Sequence, residues 1–444
     1  MNKQNMLSDF FNQLLNNGAG KESLNKLKEK IIKIIPDLKE DNKDKLIEHV
    51  ISEMIEKSRM FLNEKNQYDM NLITSLASSI YIFDKHGQYK FKFIGGVESR
   101  YDNSKKITEE TVFDIASITK LFTIILVFKL EEFGYFNIND KIIDLHPEYI
   151  GLKDFTLLDL LMMCGEIYTD GDIRSANNKD EAEKILKTAY IKNNDRYKNK
   201  YSDFGAIIIS KVCEKIIQEK TQEKLTYDQI MEKYILRPYG LTKTRYNINL
   251  KTDSISGNGN LEGLVHDPKS RKLGGNVGSA GLFTNNDDLC KLAYEMYKVK
   301  YVNYDYLKNM ISKDNLTKLG TIIFPHSNIS QKGYLGLYQK HPLGLLKTFV
   351  PDEYGNFSFA HQGWTGQLAV FDPINSIHNS ILVNTVGKQN EQNDDKYFKN
   401  NKPIGFGKYL NIYYQDMATN TLMLLFIKKY YNLYNDKNNI EKCI

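Results

Sequence analysis

The sequence predicts an α/β (α+β) fold, an antiparallel sheet flanked by helices with an inserted, mostly helical domain. Strand-like segments occur at residues 76–93 and again at 356–384, and most of the chain between them has the apolar spacing of helices. Strands at both ends of a chain with helices between them indicate one sheet that the two ends share. We therefore divide the chain into a helical N-terminal extension, residues 1–66, and a domain of residues 67–444 whose mostly helical insertion spans 135–345.

The composition is that of a globular protein without a nucleic-acid partner. Of the 444 residues, 41% are hydrophobic and 26% are charged, which argues against wholesale disorder. The net charge of +5 is a small excess among 60 basic and 55 acidic residues, and no basic stripe alternates with aromatic residues. The N-terminus lacks the apolar segment and cleavage site of a signal peptide, and no apolar run is long enough to be a transmembrane segment. We expect a cytoplasmic protein.

The N-terminal extension has apolar residues at helical spacing in two segments, residues 24–35 and 46–55. Pro36 and the polar residues after it separate the two predicted helices. We expect this extension to pack on the main domain; the alternative is that it mediates self-association or binds a partner.

A β-hairpin is predicted at residues 76–93, where two strand-like segments flank a turn that contains Gly87. A polar loop then leads to the apolar run Leu121–Leu130, which predicts a buried helix that ends near Gly134. We expect this apolar helix to bury the residues at its start.

Ser117 and Lys120 are a candidate nucleophile and base at the start of that helix. They lie one helical turn apart on the same face, so hydroxyl and amine can meet. A lysine takes the proton of a serine hydroxyl when its pKa is low, and we expect burial against the apolar helix to lower the pKa of Lys120. A second tetrad of this type, Ser23 to Lys26, lies in a charged segment with no strand before it; we interpret it as surface.

Three more helices are predicted within the insertion, at residues 156–163, 180–191 and 207–218. Tyr201 stands just before the third helix, on a loop able to point inward. The Gly-rich stretch 273–283 predicts tight turns or a close approach of backbone to a ligand.

The chain closes with a strand meander and a helix predicted at residues 418–434. The cysteines are far apart and show no metal-ligand spacing, and no nucleotide-binding or metal motif occurs anywhere. We therefore expect no metal and no cofactor. The cysteines are Cys164, Cys213, Cys290 and Cys443.

Three short motifs occur in one order: Ser117-Ile-Thr-Lys120, Tyr201-Ser-Asp203 and His361-Gln-Gly363. Their order and spacing resemble those of the penicillin-recognising serine hydrolases, in particular the class C β-lactamase-like group of DD-peptidases, D-aminopeptidases, esterases and muropeptide amidases. The resemblance covers about residues 75–430 and leaves the N-terminal extension unexplained. It implies a β-lactamase/transpeptidase-like fold.

The resemblance also implies roles for individual residues. Ser117 would be the acylated nucleophile, Lys120 would help to deprotonate it, and Tyr201 would relay a proton to the leaving group or activate water. A phenol beside cationic side chains is biased towards its phenolate form, which can act as a base. The backbone N–H groups of Ser117 and Trp364 would form the oxyanion hole. Substrate-binding positions would be Asp203, His361, Gly363 and Trp364.

Two departures from the β-lactamase pattern bear on the substrate. The second motif usually ends in Asn, whose amide donates a hydrogen bond, whereas an ionised Asp203 only accepts. The third motif more often begins with Lys, and His361 carries positive charge only when protonated. The first departure leaves the substrate preference open, and the second makes true β-lactamase activity less expected.

We expect a serine hydrolase that forms an acyl-enzyme on a peptide, amide or ester, with a cell-wall-derived peptide as the favoured substrate. An intracellular muropeptide amidase or D-amino-acid peptidase suits the absent signal peptide. The enzymatic alternative is a promiscuous carboxylesterase or a weak β-lactamase. The alternative of another class is a catalytically inactive scaffold or sensor that assembles through residues 1–66.

Overall fold

The structure is a computed structural model built of helices and strands. It describes residues 21–64, 75–84, 87–98, 105–192, 201–249, 255–256, 263–302, 359–372, 377–383, 398–399, 402–403, 413–414, 416–417, 419–427 and 430–431. The α-helices of these residues are α1 (Lys21–Ile34), α2 (Lys43–Glu64), α3 (Thr119–Glu132), α4 (Ile142–Leu145), α5 (Leu157–Leu161), α6 (Lys179–Lys187), α7 (Asp203–Thr221), α8 (Tyr227–Met231), α9 (Pro268–Lys272) and α10 (Asn286–Val302). The described residues between 413 and 431 are also helical.

Shorter elements connect these helices. Single 3₁₀ turns cover Ile35–Asp37, Glu40–Asn42, Ala116–Ile118, Ile150–Leu152 and Ile173–Ser175, and a π-helical turn covers Glu232–Leu236. The strands are β1 (Ser75–Asp84), β2 (Gly87–Gly96), β3 (Val112–Asp114), β4 (Ile167–Tyr168), β5 (Tyr190–Ile191), β6 (Ile255–Ser256), β7 (Phe283–Thr284), β8 (Phe359–Gln362), β9 (Leu368–Asp372), β10 (Ile377–Val383), β11 (Phe398–Lys399) and β12 (Lys402–Pro403).

A five-stranded sheet in the order β2-β1-β10-β9-β8 lies at the centre of the fold. Every pair in it is antiparallel, and β10 lies between β1 and β9. Ser79 of β1 is opposite Ser380 of β10, so strands separated by about 300 residues of sequence are neighbours. The sequence prediction that both ends of the chain share one antiparallel sheet is confirmed.

The two faces of this sheet pack against different hydrophobic cores, because successive strand residues point to opposite sides. On one face Ala77 and Tyr81 pack with apolar side chains from α3, α5, α7 and α10. On the other face Leu76 and Ile80 pack with α1, α2 and the helical residues between 413 and 431. The candidate site residues belong to the first face.

The N-terminal helices are part of the second core. Leu27, Ile31, Val50 and Met54 are at most 2% exposed and belong to the same cluster as the sheet residues. The expectation that the extension packs on the main domain is therefore confirmed. The division of the chain at residue 66, with an insertion at 135–345, stays a prediction.

Two predicted helices have different boundaries in the structure. Residues 180–191 do not form one helix: α6 ends at Lys187, and β5 pairs with β4 in an antiparallel arrangement. The β-branched and aromatic residues near position 190 favour a strand once β4 offers a partner. Helix α7 begins four residues earlier than predicted because the Ser202 hydroxyl caps it by accepting from the N–H of Phe204.

Some predictions concern residues that the structure does not describe. The predicted residues 303–345 and 356–358, together with Cys443, lie outside the described residues. The other three cysteines are buried. Among the described helices, none combines the length and the apolarity that crossing a membrane requires.

Candidate active site

Ser117 lies in a 3₁₀ turn that joins β3 to α3. The residue before it, Ala116, has a φ of 45°, in the left-handed region that residues other than glycine seldom adopt. Its N–H donates to Oδ1 of Asp114 at 2.8 Å, which holds the turn in this conformation. Ala116 and Ile118 are buried, whereas Ser117 is partly exposed. The strained turn therefore presents the Ser117 side chain at the surface of the core. The sequence predicted Ser117 inside the helix; it lies just before it.

Lys120 is the buried centre of the site. Its side chain is 0% exposed in the first turn of α3, a helix whose residues are almost all buried. The ammonium group donates to Oγ of Ser117 at 3.1 Å, to Oδ1 of Asp203 at 2.8 Å and to the backbone carbonyl of Ser279 at 3.0 Å. A lysine has three N–H donors, so all of them are satisfied here.

The expected direction of the Lys120 pKa is wrong. Burial does act to lower it, but the Asp203 carboxylate and the adjacent Tyr201 outweigh burial and raise the pKa of Lys120 above its ordinary value. Lys120 is therefore an ammonium at neutral pH. It donates to the Ser117 hydroxyl instead of accepting its proton.

The second motif lies at the start of α7. Asp203 occupies the first turn of that helix, and Tyr201 precedes the capping residue Ser202. The Nζ atom of Lys120 is 5.1 Å from the centre of the Tyr201 ring, and Tyr201 is 40% exposed. The structure thus joins the first and second motifs through one buried ammonium group.

Lys269 is a site residue that the sequence analysis missed. Its Nζ atom lies 2.7 Å from Oδ2 of Asp203, so the carboxylate has a lysine on each oxygen. Burial on its own would raise the pKa of Asp203, but the two lysines hold it well below its usual range. One feature of the sequence could have indicated such a residue, namely the Asp that stands in place of Asn in the second motif. Its negative charge near Lys120 is stabilised by a second cation.

The Gly-rich stretch 273–283 contacts the start of α7 and Lys120. A side chain at Gly278 would place its Cβ atom 2.4 Å from the carbonyl oxygen of Ala206. The same segment supplies the Ser279 carbonyl that accepts from Lys120. The sequence predicted tight turns or a close approach to a ligand for this stretch, and the close approach at Gly278 is to the backbone of α7.

The third motif lies on β8 and the turn after it. His361 is buried, its Nδ1 atom lies 3.0 Å from the carbonyl oxygen of Gln362, and its ring centre is 6.4 Å from that of Tyr201. A Cβ atom on Gly363 would lie 2.9 Å from the carbonyl oxygen of Ile115. Only glycine therefore lets this turn approach the segment that precedes Ser117.

Trp364, the only tryptophan of the chain, lies at the edge of the site. Its ring is 40% exposed and stacks on that of His266, with centroids 4.8 Å apart and an interplanar angle of 16°. Burial, with a smaller effect of Arg271, lowers the pKa of His266 to about 4, so the imidazole is neutral at pH 7. The sequence on its own allows two roles for His266, ordering the Gly-rich loop through hydrogen bonds or lining the pocket.

Asp114 connects the Ser117 turn to the loop that carries His266. Its Oδ2 atom accepts from the backbone N–H of His266 at 2.7 Å, and its Oδ1 atom accepts from Ala116. Burial raises the pKa of Asp114 to about 6 despite these two hydrogen bonds. Sequence reasoning did not single out Asp114, because one aspartate before a helix is a common feature.

The structure thus brings all seven predicted residues into one region, adds Asp114 and Lys269, and places His266 beside Trp364. Among the described residues, no group of three or more His, Cys, Asp or Glu side chains is arranged to hold a metal ion. The second tetrad, at Ser23, lies in α1 on the other face of the sheet.

Comparisons with known proteins show the family and the fold of this chain. The sequence model of the Beta-lactamase family matches residues 81–401. A protein of Escherichia coli (strain K12) named "Putative D-alanyl-D-alanine carboxypeptidase" is 26% identical over 354 residues, which cover 68% of this chain and 76% of that protein.

Two solved structures are similar in fold. FmtA from Staphylococcus aureus superposes with a TM-score of 0.53 at 21% sequence identity, covering 78% of this chain and 88% of that chain. A class C beta lactamase from Rhodobacter sphaeroides superposes with a TM-score of 0.52 at 14% identity, covering 82% and 98% of the two chains.

Proposed function

The chain belongs to the beta-lactamase family of serine hydrolases, and we propose that it cleaves a peptide, amide or ester through an acyl-enzyme on Ser117. One observation carries this proposal: the buried ammonium of Lys120 donates to Oγ of Ser117 and pairs with Asp203. A cation directed at the serine oxygen stabilises the negative charge that develops there during attack.

In the proposed acylation, Oγ of Ser117 attacks the substrate carbonyl carbon while its proton passes to Tyr201. Lys120 cannot accept this proton because it is already charged, so we assign the role of proton acceptor to the Tyr201 oxygen. The N–H groups of Ser117 and Trp364 bind the carbonyl oxygen as it becomes an oxyanion. When the tetrahedral intermediate breaks down, Tyr201 returns the proton to the departing amine or alcohol.

Deacylation reverses these roles with water as the nucleophile. Tyr201 takes a proton from water as the water oxygen attacks the ester carbonyl, and the proton then passes to the departing Ser117 oxygen. Lys120 remains protonated throughout. Tyr201 is partly exposed, which gives solvent access to the position where water must enter.

We favour a cell-wall-derived peptide as the substrate, as for a D-amino-acid peptidase or a muropeptide amidase. The names of the carboxypeptidase relatives support this class. The ionised Asp203, which cannot donate a hydrogen bond to a substrate amide, argues against an efficient β-lactamase.

Intact-protein mass spectrometry after incubation with a fluorophosphonate tests the proposal. We expect one adduct on the wild-type chain, its loss in Ser117→Ala and its retention in Ser23→Ala, the matched control in the second tetrad. An ester panel run beside D-Ala-D-Ala peptides separates a carboxylesterase from a peptidase, and the lifetime of a penicillin adduct reveals weak β-lactamase activity. A folded wild-type chain without any adduct would favour the inactive scaffold.

A further inference from the structure

Asp203 is held by lysines from two different helices. Lys120 of α3 pairs with Oδ1 at 2.8 Å, and Lys269 of α9 pairs with Oδ2 at 2.7 Å. Lys120 is 0% exposed, whereas the Lys269 side chain is 24% exposed. The carboxylate therefore has an inner partner that reaches the serine and an outer partner at the edge of the site.

The charges of these three groups do not cancel. Lys120 and Asp203 alone form a neutral pair, and Lys269 brings the three groups joined by ion pairs to a net charge of +1. Asp267, the other carboxylate that acts on Lys269, caps α9 by accepting from the N–H of Ser270 at 2.7 Å. A positive cluster favours the negative charge that develops during acylation, and a carboxylate held on both oxygens cannot rotate away from Lys120.

We propose that Lys269 is a positioning residue of the hydrolase site, which fixes Asp203 and offsets its charge so that Lys120 stays directed at Ser117. This inference rests on the proposed acylation of Ser117. The role of Lys269 explains how this site can have an aspartate in the second motif. An asparagine would be neutral and would need no second cation, whereas the negative charge of Asp203 is offset by Lys269.

A double-mutant cycle tests whether Lys269 acts through Asp203. The variants are Lys269→Gln, Asp203→Asn and the double variant, and the measurement is the rate of fluorophosphonate labelling of Ser117. We expect Lys269→Gln to slow labelling about tenfold or more in the wild-type background, where the cluster becomes neutral. In the Asp203→Asn background, Lys269→Gln should change the labelling rate less than about threefold. Without the negative charge of Asp203, Lys120 alone still gives the cluster a net charge of +1.

Steady-state hydrolysis of a small ester supplies readouts that a merely structural role would not move. Lys269→Gln should lower kcat and leave KM nearly unchanged, since Lys269 contacts Asp203 and not the substrate. Its loss also removes one of the cations that keep the pKa of Asp203 low, so the acid limb of the pH–rate profile should move to higher pH.

Two further variants keep the test decisive. Lys269→Arg retains the charge and should label within about threefold of the wild-type rate. Lys272→Gln, on the same short helix, removes a lysine that donates to the Ala176 carbonyl outside the site, and should label at the wild-type rate.

Each outcome has a separate meaning. Equal losses for Lys269→Gln in both backgrounds, or no loss in either, would overturn the positioning role while the labelling of Ser117 upheld the proposed function. Absence of labelling on the wild-type chain would overturn the proposed function and this inference with it.

Discussion

His266 should make the stability of the fold depend on pH in a way that one substitution can remove. Its ring is half-buried and stacks on that of Trp364, and burial lowers its pKa from 6.5 to about 4. The unfolded chain therefore binds a proton at a higher pH than the folded chain does. The stability that neutral His266 contributes is present above pH 6.5 and is lost as the pH falls towards about 4.

The size of this effect follows from the shift. One pKa unit corresponds to about 1.4 kcal/mol, so the fully developed contribution is about 3 kcal/mol. At pH 5.0 the linkage relation gives a loss of about 2 kcal/mol relative to pH 7.5. Other groups titrate in the same range, Asp114 among them, so the effect must be measured as a difference between two chains that differ only at position 266.

Urea denaturation of the wild-type chain and of His266→Gln at pH 7.5 and pH 5.0 measures that difference. The stability of the wild type relative to the variant should fall by about 2 kcal/mol between the two pH values, because glutamine does not titrate. The fluorescence of Trp364, the only tryptophan of the chain, should change with a midpoint near 4 in the folded wild type as the ring beneath it becomes charged. Trp364→Phe removes the signal and identifies its source.

A stability difference that stays constant within about 0.5 kcal/mol from pH 7.5 to pH 5.0 would refute this reasoning. It would mean that water reaches the imidazole in the folded chain as freely as in the unfolded chain. The stacking of His266 under Trp364 would then be too loose to exclude a charge.

Three other substitutions test the packing around the site by the same denaturation measurement. Gly278→Ala should destabilise the fold by about 2 kcal/mol or more, since its Cβ atom would meet the Ala206 carbonyl oxygen at 2.4 Å. The control Gly171→Ala, with ordinary contacts of 3.4 Å to Ile185, should cost less than about 0.5 kcal/mol. Equal stabilities of the two variants would contradict the close approach at Gly278. Met54→Ala should lower the free energy of unfolding by about 2–4 kcal/mol, whereas Met60→Ala, at an exposed position of the same helix, should leave it almost unchanged. A small effect at Met54 would show that α2 does not pack tightly on the sheet. Asp114→Ala should lower the stability by about 2–4 kcal/mol because it leaves the N–H groups of Ala116 and His266 without their acceptor. The same variant should slow labelling of Ser117. Wild-type stability together with a wild-type labelling rate would show that Asp114 does not hold the Ser117 turn in place.

Much of the fold was predictable because it depends on local periodicity. The alternation in residues 76–93 and the strand-like segments after residue 356 predicted the shared sheet, and the continuous apolar run Leu121–Leu130 predicted the buried helix α3. Residue types and spacing indicated Ser117 and Lys120, and the family that the three motifs resemble implied the other five candidate residues, whose roles stay predictions. The end of α6 was not predictable in this way, since residues near 190 become a strand only when β4 lies beside them.

The sequence by itself determined the helices, the strands and the residue types of the three motifs; the tertiary structure decided the charge states in the site and added Asp114 and Lys269 to it. Burial of Lys120 was expected to lower its pKa, but the distance of 2.8 Å to Asp203 reverses the direction, and no sequence pattern supplies a distance. Lys269 and His266 come from the segment between α7 and the Gly-rich stretch, far along the chain from Ser117. Electrostatic and stacking interactions act through space, so they exist only once the fold has brought separate segments together.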